Sequence, residues 1–141
     1  MTPMVERLAE LRKHLDHLAS IRPRVRSRQD LERDMTLHND VLFSLLAVAQ
    51  LVIDVAGELS SRAGQSFEDY TTAVRNLGKL DGDDFPPEMV DELARLPGFR
   101  NILIHEYVGL DYDLVLRALD HLDPIEQFVR TVAARLSPPA K

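Results

Sequence analysis

The segment Arg100-Asn101-Ile102-Leu103-Ile104-His105-Glu106-Tyr107 gathers an arginine, an asparagine, a histidine and a tyrosine into eight residues. Histidine exchanges protons near neutral pH and serves as a general acid or base. Arginine is a permanent cation whose planar fork matches a phosphate. Together they suit cleavage of RNA without a metal. His105 would take the proton of a 2′-hydroxyl, and Arg100 would stabilise the charge on the pentavalent phosphorane. Asn101 would orient His105 or donate to the phosphate, and Tyr107 would position the phosphate or accept a nucleotide on its hydroxyl. Other chemistries find no purchase. His105 and Glu106 are adjacent and no HExxH spacing exists. His14 and His17 lie three apart, a weak metal signal on its own, and read as surface residues of a first helix. No Ser-His-Asp pattern and no glycine-rich phosphate loop stands out. The chain has no cysteine, hence no disulfide, thiolate nucleophile or cysteine-based zinc site.

On a helix of about 100° per residue, Phe99, Ile102 and Leu103 form a stripe facing a core. Arg100 and Tyr107 share one edge, and Asn101 and His105 share the other. Ile104 and Val108 lie between those edges as a second apolar stripe, while Glu106 falls on the core side, where nothing obvious pairs with it. A histidine and an arginine on an amphipathic helix are ordinarily structural. The second stripe sets this helix apart, because a symmetric helix-to-helix dimer would bury it and bring both copies of Arg100 and His105 around one cleft.

The elements that must position these groups read as helical throughout. Val5, Leu8, Leu11, Leu15 and Leu18 follow 3/4 spacing in a first helix that Arg22-Pro23-Arg24 ends. A second helix, capped by Ser27, runs to about Ala63 and is apolar on nearly all faces in its middle, as the central helix of a bundle is. Gly64 ends it. Ser66 caps a third helix, on which Phe67, Tyr70, Val74 and Leu77 form an apolar stripe. Asp81 to Pro87 is a turn-rich loop, and Pro87 opens a fourth helix. Pro97-Gly98 predicts a kink or short break before the helix resumes through about Val108. Gly109 ends that helix, Asp111 caps a fifth, and Pro124 kinks or restarts it. Short loops favour antiparallel neighbours. The expected fold is an all-α up-and-down bundle of four to five antiparallel helices.

The chain has 141 residues, 45% of them apolar and 28% charged, with 17 Lys and Arg against 23 Asp and Glu for a net charge of −6. That is one ordinary domain with a real core. It excludes a disordered tail, a collagen-like fibre and a basic protein that grips long duplexes by bulk charge. The most apolar stretch, Val41 to Ile53, is closed by Asp40 and Asp54 and is shorter than the roughly 20 residues of a membrane span. It reads as a buried helix. The first eleven residues hold no run of signal-peptide type. A soluble, cytoplasmic domain with no membrane contact is expected. Arg22, Arg24, Arg26 and Arg28 cluster at the first turn, and Asp81, Asp83, Asp84, Glu88, Asp91 and Glu92 around the third. Each reads first as a solvated loop. The functional alternatives are a phosphate-attracting corner and a docking edge for a basic partner.

The segment Arg100 to Tyr107 also resembles a known motif: Arg, four residues, His, any residue, Tyr. This is the motif of the HepT-like toxins in the HEPN superfamily. Gly98-Phe99-Arg100-Asn101 before it and Asp111 after it agree with the resemblance. Weaker anchors lie at Asp54, at Ser66 to Tyr70 and at Leu77-Gly78, so that it spans roughly Gln29 to Leu136. The resemblance implies a single HEPN-like domain over 1–141, with the first helix and Arg-rich turn at 1–26 and a disordered tail at 137–141. It implies a bundle that dimerises through the motif helix to build a composite ribonuclease site. It further implies the toxin half of a type II toxin–antitoxin module acting on RNA, tRNA or mRNA. The cognate antitoxin of such toxins is a minimal nucleotidyltransferase, MntA, which attaches AMP from ATP to the motif tyrosine. Carried over, Arg100 and His105 are catalytic, Asn101 is supporting, and Tyr107 is the AMP acceptor. No metal or other cofactor is implied. A homodimer and a hetero-oligomer with the antitoxin are. Pro97-Gly98 departs from the pattern, and a kink there would shift Arg100 relative to His105. The competing readings are a non-catalytic helical partner or substrate of a nucleotidyltransferase, and a plain structural bundle within a larger complex.

Overall fold

The structure, a computed structural model, describes residues 3–136. The tail expected at 137–141 lies outside them. Every regular element described is helical: α1 Met4–Ile21, α2 Arg28–Arg33, α3 Met35–Arg62, α4 Tyr70–Arg75, α5 Pro87–Leu93, α6 Leu96–His105, α7 Tyr112–Leu119 and α8 Asp123–Leu136, with short 3-10 turns at Arg22–Arg24 and Asn76–Lys79. These eight segments fall into the five rods expected from periodicity, several of them broken in two.

The breaks have local causes. Ser27 precedes α2 but makes no side-chain cap, and the expected single helix from Ser27 to Ala63 divides at Asp34. There the Asp34 carboxylate accepts from the Leu37 N–H at 3.1 Å, because aspartate serves an exposed helix start better than a helix interior. The break between α5 and α6 lies at Ala94-Arg95, ahead of Pro97. Proline cannot donate to the carbonyl four residues back and its ring collides with it, so the chain turns first and Pro97 occupies the opening turn of α6. Pro124 likewise falls in the opening turn of α8. The third rod starts at Asp69, whose carboxylate accepts from the Thr72 N–H at 2.7 Å. Asp69, and not Ser66, is the cap. Gly64 ends α3 as expected, with φ +74°. Gly64 N–H donates to the Ser61 carbonyl and Gln65 N–H to that of Ser60, a Schellman closure that only a residue tolerant of positive φ allows at no cost.

The centre is α3. Its Leu37, Val41, Leu45, Val48, Val52, Val55, Ala56 and Leu59 are buried. By length and composition it is the one described helix that could cross a membrane, and half of its apolar window is inside the bundle. The Val41 to Ile53 stretch lies in the middle of this helix, whose end near Ala63 was expected. α1 lies along α3 through Leu11, Leu15 and Leu18. Met4, not Val5, takes the first place in that stripe, and Val5 is exposed. His14 and His17 are not free surface residues. His14 Nδ1 lies 3.1 Å from Ser44 Oγ, and His17 Nε2 lies 2.9 Å from Asp40 Oδ1. α8 closes the bundle against α1 and α5, with Phe128 fully buried beside Phe85 and Arg12 paired to Glu126.

The Arg cluster is mostly spent on the fold, the acidic cluster only in part. Arg22 pairs with Asp120, Arg24 with Asp34 and Arg26 with Asp30. Among the acids, Asp84 pairs with Arg135 and Asp91 with Arg75. The Arg-rich turn is thus a set of local clasps more than a free cationic corner.

Candidate active site

α6 is held by its apolar face. Leu103 is buried, and Phe99 and half-buried Leu96 pack onto the same core. Packing Leu103 and Phe99 inward turns Arg100 toward α3. Its Nε donates to Gln50 Oε1 at 2.7 Å and its Nη1 to Asn101 Oδ1 at 3.0 Å. Gln50 Nε2 in turn donates to Asp54 Oδ1 at 2.9 Å, one turn further along α3. Tyr70, the first residue of α4, lies with its ring centroid 5.8 Å from Arg100 Cζ, within cation–π range. Arg100, Gln50, Asp54, Asn101 and Tyr70 thus form one polar cluster on the α3–α6 seam.

Tyr70 reaches that seam because the loop before α4 is tied down. Buried Asn76 donates through Nδ2 to Ser60 Oγ at 2.8 Å and to the Ser66 carbonyl at 3.1 Å. Ser60 Oγ donates onward to the Gln65 carbonyl. No buried side-chain polar atom among the described residues lacks a partner, so this knot is fully satisfied and rigid.

His105 is the last residue of α6 and is exposed. Five residues at about 100° and about 1.5 Å each put it about 140° around and about 7.5 Å along the helix from Arg100. Their Cα atoms are then about 9 Å apart, with side chains diverging. Pro97-Gly98 leaves this register intact, since both lie in the first turn of a continuous α6. The helix does not run on to Val108. Glu106 leaves helical geometry at φ −119°, ψ 26°, and the residues after it have nothing to pack against: Tyr107 is 67% and Val108 90% exposed. A helix end without packing frays. Three expectations change in consequence. Tyr107 shares no helical edge with Arg100, Val108 does not extend the Ile104 stripe, and Glu106 is exposed instead of facing the core. Asn101 contacts Arg100, its neighbour, and not His105.

Gln50 escaped sequence reasoning. Its signal was a single amide within an otherwise apolar stretch, one helical turn before Asp54. Tyr70 was read as part of an apolar stripe, yet it is 48% exposed and covers Arg100.

A cavity of about 540 Å³ lies elsewhere. Leu45, Val48, Phe99, Ile102, Leu114 and Ile125 line it, and neither Arg100 nor His105 does. The chemistry-bearing side chains occupy the other flank of α6. Along α3 before Gln50, Phe43 is 64% exposed with its ring 5.8 Å from that of His14, and Leu46 and Ala47 are half-buried. With Gln50 and Asp54 these follow 3/4 spacing along one face of α3.

The sequence and the fold both match known proteins. The Ribonuclease HepT-like family model matches residues 6–132. The chain is 29% identical over 108 residues to the mRNA nuclease HepT of Shewanella oneidensis, covering 73% of this chain and 77% of that protein. It is 33% identical over 86 residues to an Archaeoglobus fulgidus protein named as an RNase, covering 60% of this chain and 63% of that one. Among solved structures it superposes on a tri-AMPylated Shewanella oneidensis HEPN toxin in complex with MNT antitoxin, with a TM-score of 0.79 at 20% identity, covering 95% of this chain and 99% of that one.

Proposed function

Since the chain belongs to the Ribonuclease HepT-like family, we propose that it is the toxin of a HEPN/MNT toxin–antitoxin pair, a metal-independent endoribonuclease whose site is shared between two copies. The observation that carries the reading is the division of labour on α6. Arg100 is braced at the α3–α6 seam, and His105 is free at the helix end, about 140° away. A base and a phosphate-binding cation acting on one phosphodiester must both come within hydrogen-bond reach of it, and one copy of α6 cannot bring them together. Apolar Ile104 next to His105, and Phe43 and Leu46 on the face of α3 that carries Gln50, support a second copy docking on this flank. Across such a dimer, His105 of one copy takes the 2′-hydroxyl proton. The 2′ oxygen attacks phosphorus, and Arg100 of the other copy holds the phosphorane charge. The phosphorus–5′ oxygen bond then breaks, the 5′ oxygen leaves with a proton, and a 2′,3′-cyclic phosphate remains. Asn101 supports Arg100.

Tyr107 is the AMP acceptor for a nucleotidyltransferase antitoxin of the MntA type in the cytoplasm, the partner seen with the solved relative. Its exposure outside any helix supports that role. The same exposure fits the second reading, in which the chain is only a substrate of that enzyme. Purified protein incubated with RNA in EDTA separates the two. Cyclic-phosphate ends that vanish in His105→Ala establish the nuclease, and cleavage unchanged in His105→Ala removes it.

A further inference from the structure

We infer that Gln50, itself held by Asp54, is a positioning residue that aims the Arg100 guanidinium at the scissile phosphate; the inference rests on the nuclease reading above. A guanidinium has five N–H donors. In Arg100 the Nε–H is taken by Gln50 Oε1 and one Nη1–H by Asn101 Oδ1, while Tyr70 covers one face. The second Nη1–H and both Nη2–H groups remain. One Nη2–H points the same way as the Nε–H, toward Gln50, and the other Nη2–H with the remaining Nη1–H leaves the end of the guanidinium to bind a phosphate.

Gln50 does this only in one orientation. Flipped, its NH2 would face the arginine donors. Asp54 prevents the flip, because its carboxylate accepts from Gln50 Nε2 at 2.9 Å and so keeps Oε1 toward Arg100. The choice of amide over acid has a chemical consequence. A carboxylate touching Arg100 would form an ion pair and compete with the phosphate for the cation. The interposed amide transmits the orienting effect of Asp54 and leaves the guanidinium charge for the substrate. Long, flexible arginine side chains lose rotamer entropy when fixed. Here that ordering is complete before RNA arrives, which is the condition for fast chemistry once it does.

The test uses the full chain as wild type, Gln50→Leu, Gln50→Glu and Asp54→Asn. The readouts are single-turnover cleavage of an RNA oligonucleotide and exchange of the Arg100 Nε–H by 15N NMR, its signal assigned by loss in Arg100→Lys. Gln50→Leu is expected to lower the chemical rate roughly 10- to 100-fold, with little change in KM or melting temperature. It should add nothing in an Arg100→Ala background, since a positioning residue acts through the group it positions. The slow Nε–H exchange of wild type should become fast in Gln50→Leu and intermediate in Asp54→Asn. Gln50→Glu should keep slow exchange while cleaving poorly. A wild-type rate in Gln50→Leu, an equal loss in the Arg100→Ala background, or unaltered Nε–H exchange overturns the inference. If Gln50→Leu cleaves normally and His105→Ala does not, the inference alone falls. If His105→Ala cleaves normally, the nuclease reading falls, and Nε–H exchange still decides whether Gln50 holds the guanidinium.

Discussion

Purified Arg100→Ala and His105→Ala proteins should each be inactive on RNA, and a mixture of the two should recover activity. The expectation follows from the pitch of α6. Five residues separate the two side chains, so within one copy they point about 140° apart with Cα atoms about 9 Å distant. Arg100 is in addition turned toward Gln50 on α3, away from the free end where His105 stands. Arg100 cannot be redirected without giving up its hydrogen bond to Gln50. On the function proposed above, an active site takes Arg100 from one copy and His105 from the other. Equal amounts of the two variants, mixed under conditions that allow exchange, give about half mixed dimers, each with one of its two sites intact, so about a quarter of wild-type activity returns. The assay is cleavage of a fluorescent RNA oligonucleotide as a function of mixing ratio, with a maximum at equal amounts. If both groups acted from the same chain, every dimer in the mixture would be dead. A mixture no more active than the sum of its parts would refute the reasoning.

Other outcomes follow from the same structure. Phe128 is fully buried between α8 and the core beside Phe85; Phe128→Ala should cost about 3–5 kcal/mol by denaturant titration, and a loss near zero would mean that α8 is not docked as described. The Asp69 carboxylate is held below its usual range by the hydrogen bond from the Thr72 N–H. Its contribution is therefore present above the unfolded value, about 3.9, and is lost as pH falls through the lowered folded value. Between about pH 5 and about pH 2 wild type should lose more stability than Asp69→Asn, whose cap does not titrate; parallel melting curves would contradict this. Incubation with the nucleotidyltransferase partner and ATP should add AMP to wild type and not to Tyr107→Phe, as read by mass spectrometry. Added mass on Tyr107→Phe would exclude that residue as the sole acceptor.

The parts of the fold visible from the residues were those set by local chemistry. The 3/4 spacing of Leu8, Leu11, Leu15 and Leu18, the stop at Gly64, Pro87 at a helix start and the Asp111 cap all act within one turn, and all appear in the structure. The misplacements arose where two local signals competed. Asp34 cut a helix that its apolar neighbours would have continued, and Pro97 moved a break two to three residues upstream of itself. The end of α6 was harder still. No residue stops the helix at His105; it stops because Tyr107 and Val108 have no core to join, and that depends on the whole bundle. Arg100 and His105 could be picked out by residue type and spacing, but the partners of Arg100 could not. Gln50 lies fifty residues away, and its amide carries no sign of which side chain will face it until α3 and α6 pack together.

The short non-helical stretch after α6 bears on how such a protein can change over generations. Tyr107 is largely exposed and lies outside any helix, so the proposed site of covalent control contributes little to folding free energy. Selection can gain, lose or shift the modified residue without first finding a compensating change in the bundle. The Arg100 cluster has no such freedom, because Gln50, Asp54 and Tyr70 must all vary with it. A lineage of this chain should therefore drift quickly in whether and how it is switched off, and slowly in the geometry that makes switching it off worthwhile.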